Sequence, residues 1–343
     1  MASRARPLGV LGFAIGSTYR VTLAVVDPSP DLVVAEVSAL DDAQQAAVAD
    51  LLRRAGQAQA HPPLPEPQLL GFARHGGSGA PGQVVLARRG DHVAGVAFLS
   101  PAHDGSTVLH VVVDPGDNDV DGDRDGDGDE LASALIARAT EVAPPHAPLH
   151  LWAMLAGPAD DRRAAEHGFS KERDLLQLRV PLPLARDVVD ATRPLVVRPF
   201  EPGGDDEVWV ETNNRAFAGH PEQGGWTVEE LHERLAAEWV DVDGFLVADD
   251  PEGEGLIGSC WTKVHRHTNP VMGEIYVISV DPRHNGQGWG RALTVAGLQW
   301  LAGRGVPVGM LYTDATNEAA VALYRSLGFE LDHTDRSYRR APP

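Results

Sequence analysis

A single cysteine, Cys260, stands among 343 residues. No internal disulfide can form, and the chain suits a reducing cytoplasm. Cys260 lies in the apolar run LIGSCWTKV, where a buried structural thiol is the first reading. An acyl-cysteine intermediate is the alternative, although no histidine partner is evident. Positive charge is also short. Lys and Arg number 29 against 49 Asp and Glu, a net charge of −20, which argues against nucleic acid as a partner. No apolar stretch approaches the roughly 20 residues of a membrane helix, so no membrane partner is expected. Arg4 and Arg6 precede an apolar patch in the manner of a signal peptide. Thr18, Tyr19 and Arg20 follow it, however, and no A-x-A cleavage site closes it. Residues 1–37 therefore read as a leader without an assigned role.

What the chain does have is length for two cores, at a hydrophobic content of 43%. It also has an internal repeat. DHVAGVAFLS (91–100), VLHVVVDP (108–115) and HGFSKERDLLQLRV (167–180) are answered by EGLIGSCWTKV (254–264), EIYVISVDP (274–282) and LGFELDHTDRSYRR (327–340). Two copies of one unit follow, residues 38–180 and 196–343, joined by a proline-bearing linker at 181–195. Each copy reads as strands, a strand ending in V-D-P, a helix, a strand, a helix and a last strand. In the second copy, GRALTVAGLQWLAGRG (290–305) has the apolar period of a helix, VPVGMLYTD (306–314) reads as a strand, and NEAAVALYRSLGF (317–329) as a helix. The fold class is α/β, with helices on a mixed sheet.

Between the V-D-P strand and the first of those helices lies RHNGQGW, a turn nearly without bulk. Its glycines suit a phosphate cradle at a helix start, and equally an ordinary strand-to-helix turn. The whole order, with V-D-P before G-x-G-x-G and Y-R-S-L-G-F near the end, resembles the GNAT superfamily of N-acetyltransferases. The likeness covers roughly residues 38–340 and is strongest in the second copy, where NNRAFAGHPEQGGWT (213–227) and WTKVH (261–265) are its most specific stretches. It implies two tandem acetyltransferase domains using acetyl-CoA as co-substrate, with direct transfer and no metal. The implied acceptor is a small molecule, a pseudo-disaccharide carrying a cysteinyl amine, and the chain is expected to act as a monomer. An acetyltransferase for another small amine, or a non-catalytic acyl-CoA-binding protein, are the alternatives.

Acetyl transfer to an amine needs a deprotonated nucleophile, a polarised thioester and a proton for the leaving thiolate. A cysteinyl α-amine with a pKa near 8 is mostly protonated at neutral pH, so a base helps. By the resemblance that base is Glu274; a solvent-facing carboxylate at a strand edge is the alternative. Tyr324 matches the general acid for the CoA sulfur, and would also suit a helix face packed on the sheet. Ile278, Ser279 and Val280 would line the acetyl and pantetheine arm. Asn285, Gly286, Gln287, Gly288, Trp289, Gly290 and Arg291 would meet the diphosphate, with Asn285 standing where the family usually has Arg or Gln. Asn317 is a further cofactor candidate that could equally be a helix cap. For the acceptor the resemblance points to Glu66, Glu222, Lys263, Glu274 and Tyr312; Glu222 and Lys263 alone would pass as surface charges.

The first copy departs from this pattern. Val111, Val112 and Val113 keep the cofactor strand, but the matching loop falls in DPGDNDVDGDRDGDGDE (114–130), whose nine acidic residues and one arginine leave −8. Carboxylates there would repel a diphosphate. His110 occupies the place of Glu274, so this half reads as catalytically silent. Asp121, Asp123, Asp125 and Gly126 begin like an EF-hand, yet Ala132 stands where a bidentate Glu is required. His265 and His267 in KVHRHTNP are too few for a zinc pattern, and a polar loop is the better reading. No metal site is expected.

Overall fold

The structure is a computed structural model that describes residues 32–59, 61–65, 68–69, 71–72, 83–102, 104–118, 127–218, 224–253, 255–266 and 268–342. Glu66, Glu222 and the acidic residues 119–126 lie outside the described residues.

Runs rich in Val, Ile and Leu form the strands of each half, as β-branched residues suit a pleated, packed surface. In the first half these are β1 (Leu32–Val37), β2 (Gln83–Arg89), β3 (His92–Pro101), β4 (Thr107–Val113), β5 (Leu149–Ala153) and β6 (Ser170–Pro181). The second half has β7 (Arg198–Pro199), β8 (Phe245–Asp249), β9 (Leu256–His265), β10 (Met272–Val280), β11 (Val308–Asp314) and β12 (Glu330–Arg340). The first half carries helices α1 (Asp42–Gln59), α2 (Asp127–Val142) and α3 (Pro158–Glu166), and α4 (Arg186–Asp190) lies in the join. The second half carries α5 (Asp206–Ala216), α6 (Val228–Leu235), α7 (Trp289–Gly303) and α8 (Glu318–Ser326). The strand–helix–strand–helix–strand order after V-D-P therefore appears in both halves, within a residue or two of the expected limits for α7 and β11.

Two assignments change. Leu32–Val37, placed in the leader by the sequence, pair antiparallel with β2 as an edge strand. Alternation decides it: Leu32 is buried and Val34 packs on the first-half core. The two halves are also not closed units. The strands form one sheet in the order β1-β2-β3-β4-β5-β12-β6-β11-β10-β9-β8-β7, so each half gives its last strand to the other. Tyr338 of β12 is buried in the core of the first half, while Leu178 and Val180 of β6 are buried in that of the second. Charged pairs fasten the exchange. Arg336 bonds Asp174 and Asp161 at 2.6 Å each, and Arg173 bonds Asp314 at 2.6 Å.

The linker likewise belongs to the second half, whose core receives Leu182, Leu184, Val188, Val189 and Leu195. On the opposite face of that half, Phe245 lies between Phe200 and Trp261, stacked at 4.3 Å on both sides. Trp209 meets all three edge-on and donates its indole N–H to Ser259. Aromatic pairs of this kind add about 0.5–1.5 kcal/mol each beyond burial, which holds α5 and β8–β10 as a rigid wall.

Candidate active site

The parallel pair β10–β11 is registered only from Met272–Val308 to Glu274–Met310. Beyond Glu274 the ladder ends, leaving Ile278, Ser279 and Val280 of β10 unpaired with β11. On its other edge β10 pairs with β9, the register shifting between Ile275 and Val277. Such a bulge bends a strand and re-aims its side chains. Glu274 thus sits where the strands diverge, beside a bulge.

Glu274 is buried rather than solvent-facing, and its carboxylate lies 2.7 Å from His265 Nε2. The strand pattern explains this partner. Lys263 is opposite Glu274 in the β9 register, and His265, two residues on, points to the same face. His265 is therefore a strand residue with a defined contact, where the sequence suggested a polar loop. Lys263 is not a surface charge either. It is buried, with Nζ 4.6 Å from the Trp239 ring centroid and 5.5 Å from that of Tyr276, a cation–π seat that keeps an ammonium inside.

Tyr312 enters from β11. Its hydroxyl accepts a hydrogen bond from Gln177 Nε2 at 2.7 Å and lies 3.5 Å from His61 Nε2. Burial pushes its phenol upward, and the negative charges of Asp335 and Glu274 add to the effect. Tyr324 packs in the second-half core, its phenol pushed up to about 12 by burial. It stays protonated at neutral pH, so the packed and the proton-donating readings are compatible.

Gly286 and Gly288 have φ of 74° and 83°, a left-handed conformation that side chains resist. Gly288 caps α7 without any side-chain hydrogen bond, leaving the first-turn N–H groups and the positive end of the helix open to an anion. Asn317, by contrast, caps α8 by accepting from Ala320 N. The capping reading holds for Asn317. The side chain of Arg291 turns back, donating to Thr192 Oγ1 at 3.1 Å, Ser326 Oγ at 2.8 Å and Val188 O at 3.3 Å. Sequence reasoning missed Arg193. From the linker it donates to Gln287 O at 2.5 Å and lies 3.2 Å over the Trp289 ring, placing a cation on the loop where Asn285 has none.

Cys260 is fully buried, with its thiol pushed up to about 12 by burial. A Cβ on Gly297 would stand 2.4 Å from its sulfur. A thiol so enclosed is a poor nucleophile, so native protein at neutral pH should resist alkylation and label fully once unfolded. Rapid native labelling, by mass spectrometry, would revive the acyl-cysteine alternative.

The first half repeats the opening with different residues. β4 and β5 are paired from Thr107–Leu149 to His110–Trp152 and then part, leaving Val111–Val113 at the splay. The β3–β4 register runs without a shift, so the bulge is missing. His110 is buried, pushed down to about 4 by burial, and its Nδ1 has no hydrogen-bond partner among the described residues.

Comparison with known proteins agrees with this geometry. The model of the acetyltransferase (GNAT) family matches residues 208–329. The mycothiol acetyltransferase of Kocuria rhizophila is 39% identical over 84% of this chain and 93% of its own. That of Thermomonospora curvata is 42% identical over 89% and 96%. Two solved structures share the fold. One is a tandem GNAT protein from the clavulanic acid biosynthesis pathway, with a TM-score of 0.63 and 18% identity, covering 91% of this chain and 99% of its own. The other is a GCN5-related N-acetyltransferase from Sphaerobacter thermophilus, with a TM-score of 0.62 and 21% identity over 90% and 95%. No helix among the described residues is long and apolar enough to cross a membrane.

Proposed function

Since the chain belongs to the GNAT acetyltransferases, and within them to the mycothiol acetyltransferases, we propose that its second half moves acetyl from acetyl-CoA to the cysteinyl amine of desacetylmycothiol. The observation that carries this is a buried carboxylate, Glu274, at a strand splay whose far end meets an uncapped, glycine-lined helix start. A thioester threaded along Ile278–Val280, with its diphosphate on Gly286–Gly290 and near Arg193, would reach Glu274. What Arg291 offers there is its backbone N–H.

Glu274 takes the proton as the amine nitrogen attacks the carbonyl carbon, directly or through water. His265, partly exposed and 2.7 Å away, orients the carboxylate and gives the proton a way out. The C–S bond then breaks, and Tyr324 supplies a proton to the CoA sulfur. Lys263 and Tyr312 present donors suited to sugar hydroxyls, and Glu66 and Glu222 remain acceptor contacts on resemblance alone. The first half, lacking carboxylate and bulge, supports the second without chemistry of its own.

Purified protein given acetyl-CoA and the cysteinyl-glucosaminyl-inositol acceptor should release CoA thiol, and a panel of other amines should not. No release, or equal release with the panel, would end this reading. Tyr324→Phe keeps the packing but removes the proton. It should lower kcat about 10²-fold while leaving the KM for the acceptor nearly unchanged; unaltered kcat would return Tyr324 to a packing role.

A further inference from the structure

Two imidazoles and a carboxylate meet beside Tyr312, at the centre of the strand exchange. His61 comes from the segment after α1, and His333 and Asp335 come from β12. Their candidate ligand atoms all lie within 4.8 Å of one another. His61 and Asp335 are buried, and the His333 side chain is 8% exposed.

The outer nitrogen of each imidazole is already engaged, and one oxygen of the carboxylate accepts a backbone hydrogen bond. His61 Nδ1 lies 2.8 Å from the carbonyl of Pro62. A carbonyl can only accept, so Nδ1 carries the proton and Nε2 faces inward with its lone pair. His333 Nδ1 lies 2.7 Å from the Asp332 carboxylate, which fixes the same tautomer. Asp335 Oδ1 accepts from Leu155 N at 2.9 Å. These are the outer contacts that orient ligands around a metal.

Of the inner atoms, His61 Nε2 has only the Tyr312 hydroxyl, at 3.5 Å. His333 Nε2 is buried and lacks a hydrogen-bond partner among the described residues, and its distance to Asp335 Oδ1 is 3.6 Å, too long for a hydrogen bond. The arginines nearby serve other carboxylates. Arg179 pairs with Asp332 at 2.9 Å, and Arg336 pairs with Asp174 and Asp161.

We propose that His61, His333 and Asp335 form a binding site for a zinc-class divalent cation that clasps the first half to the exchanged strand β12. Two imidazole nitrogens and one carboxylate oxygen make a borderline donor set, with a fourth position left for water. Tetrahedral zinc holds its N and O ligands about 3.4 Å apart, which small side-chain rotations would reach. The ion would satisfy His333 Nε2 and neutralise Asp335 in one step.

Full-length protein, stripped by chelator, is titrated with zinc under competition from a chromophoric chelator, and with cobalt to read its visible d–d bands. One ion per chain is expected, with cobalt bands of tetrahedral N/O ligation and a melting temperature that rises with zinc. His61→Gln, His333→Gln and Asp335→Asn should each weaken binding by about 10²-fold or more and abolish the zinc-dependent rise. His146→Ala, at an exposed histidine, should change neither. Three variants guard against one that misfolds, since circular dichroism identifies it and the others still decide. Wild-type protein binding no more zinc than these variants, or losing it equally on His146→Ala, would overturn the site and leave a proton-sharing cluster.

Discussion

Replacing Glu274 by Gln is expected to lower kcat by about 10²- to 10⁴-fold, the range in which a positioned base contributes. The KM for acetyl-CoA should hardly move, because the loop and helix start that would bind the diphosphate lie at the far end of β10. The amide keeps the size of the side chain and can still meet His265, so loss of fold is not the anticipated cause. His265→Asn should give a smaller fall in kcat with the KM for the acceptor nearly unchanged, as befits a residue acting through the carboxylate. Rates from release of CoA thiol check both. Unchanged turnover in Glu274→Gln would remove the residue from the chemistry, even though it is buried at the splay.

Much of this arrangement is legible in the chain. V-D-P followed by glycines marks where β10 ends and α7 begins, because glycine takes the left-handed turns at Gly286 and Gly288 without steric cost. Two-residue alternation locates Lys263 and His265 on one face of β9, yet a histidine-rich end beside Thr268 and Pro270 also resembles a loop. Arg193 was illegible because its target is chosen by folding of the linker onto α7. His61, His333 and Asp335 give no local motif at all, since their meeting depends on which strand lies beside which. The exchange itself was hidden for the same reason. LLQLRV in β6 and RSYRR in β12 specify strands, but nothing in a strand's own sequence names its neighbour. The expected limits 38–180 and 196–343 follow the repeat faithfully and still cut through the sheet.

That exchange makes the second large prediction. A fragment of residues 196–343, the catalytic unit by sequence, should not yield a stable active monomer. Without β6, both β11 and β12 lose the partner between them, and β12 also loses β5. Leu178 and Val180 would leave the core of the second half; a vacancy of one large aliphatic side chain alone typically costs about 2–5 kcal/mol, against a total stability of about 5–15 kcal/mol for a domain. The bare edges invite pairing between copies. Because β6 and β12 occupy matching places, a second fragment could lend its own β12 to fill the gap, giving an exchanged dimer. Size-exclusion chromatography with light scattering should therefore find dimer or aggregate, with activity that grows faster than fragment concentration. Residues 1–195 supplied as a separate chain should restore β6 and a one-to-one complex. A monodisperse 196–343 monomer turning over like the whole chain would show that the donated strand is dispensable, and that the halves are joined by history rather than by a shared core.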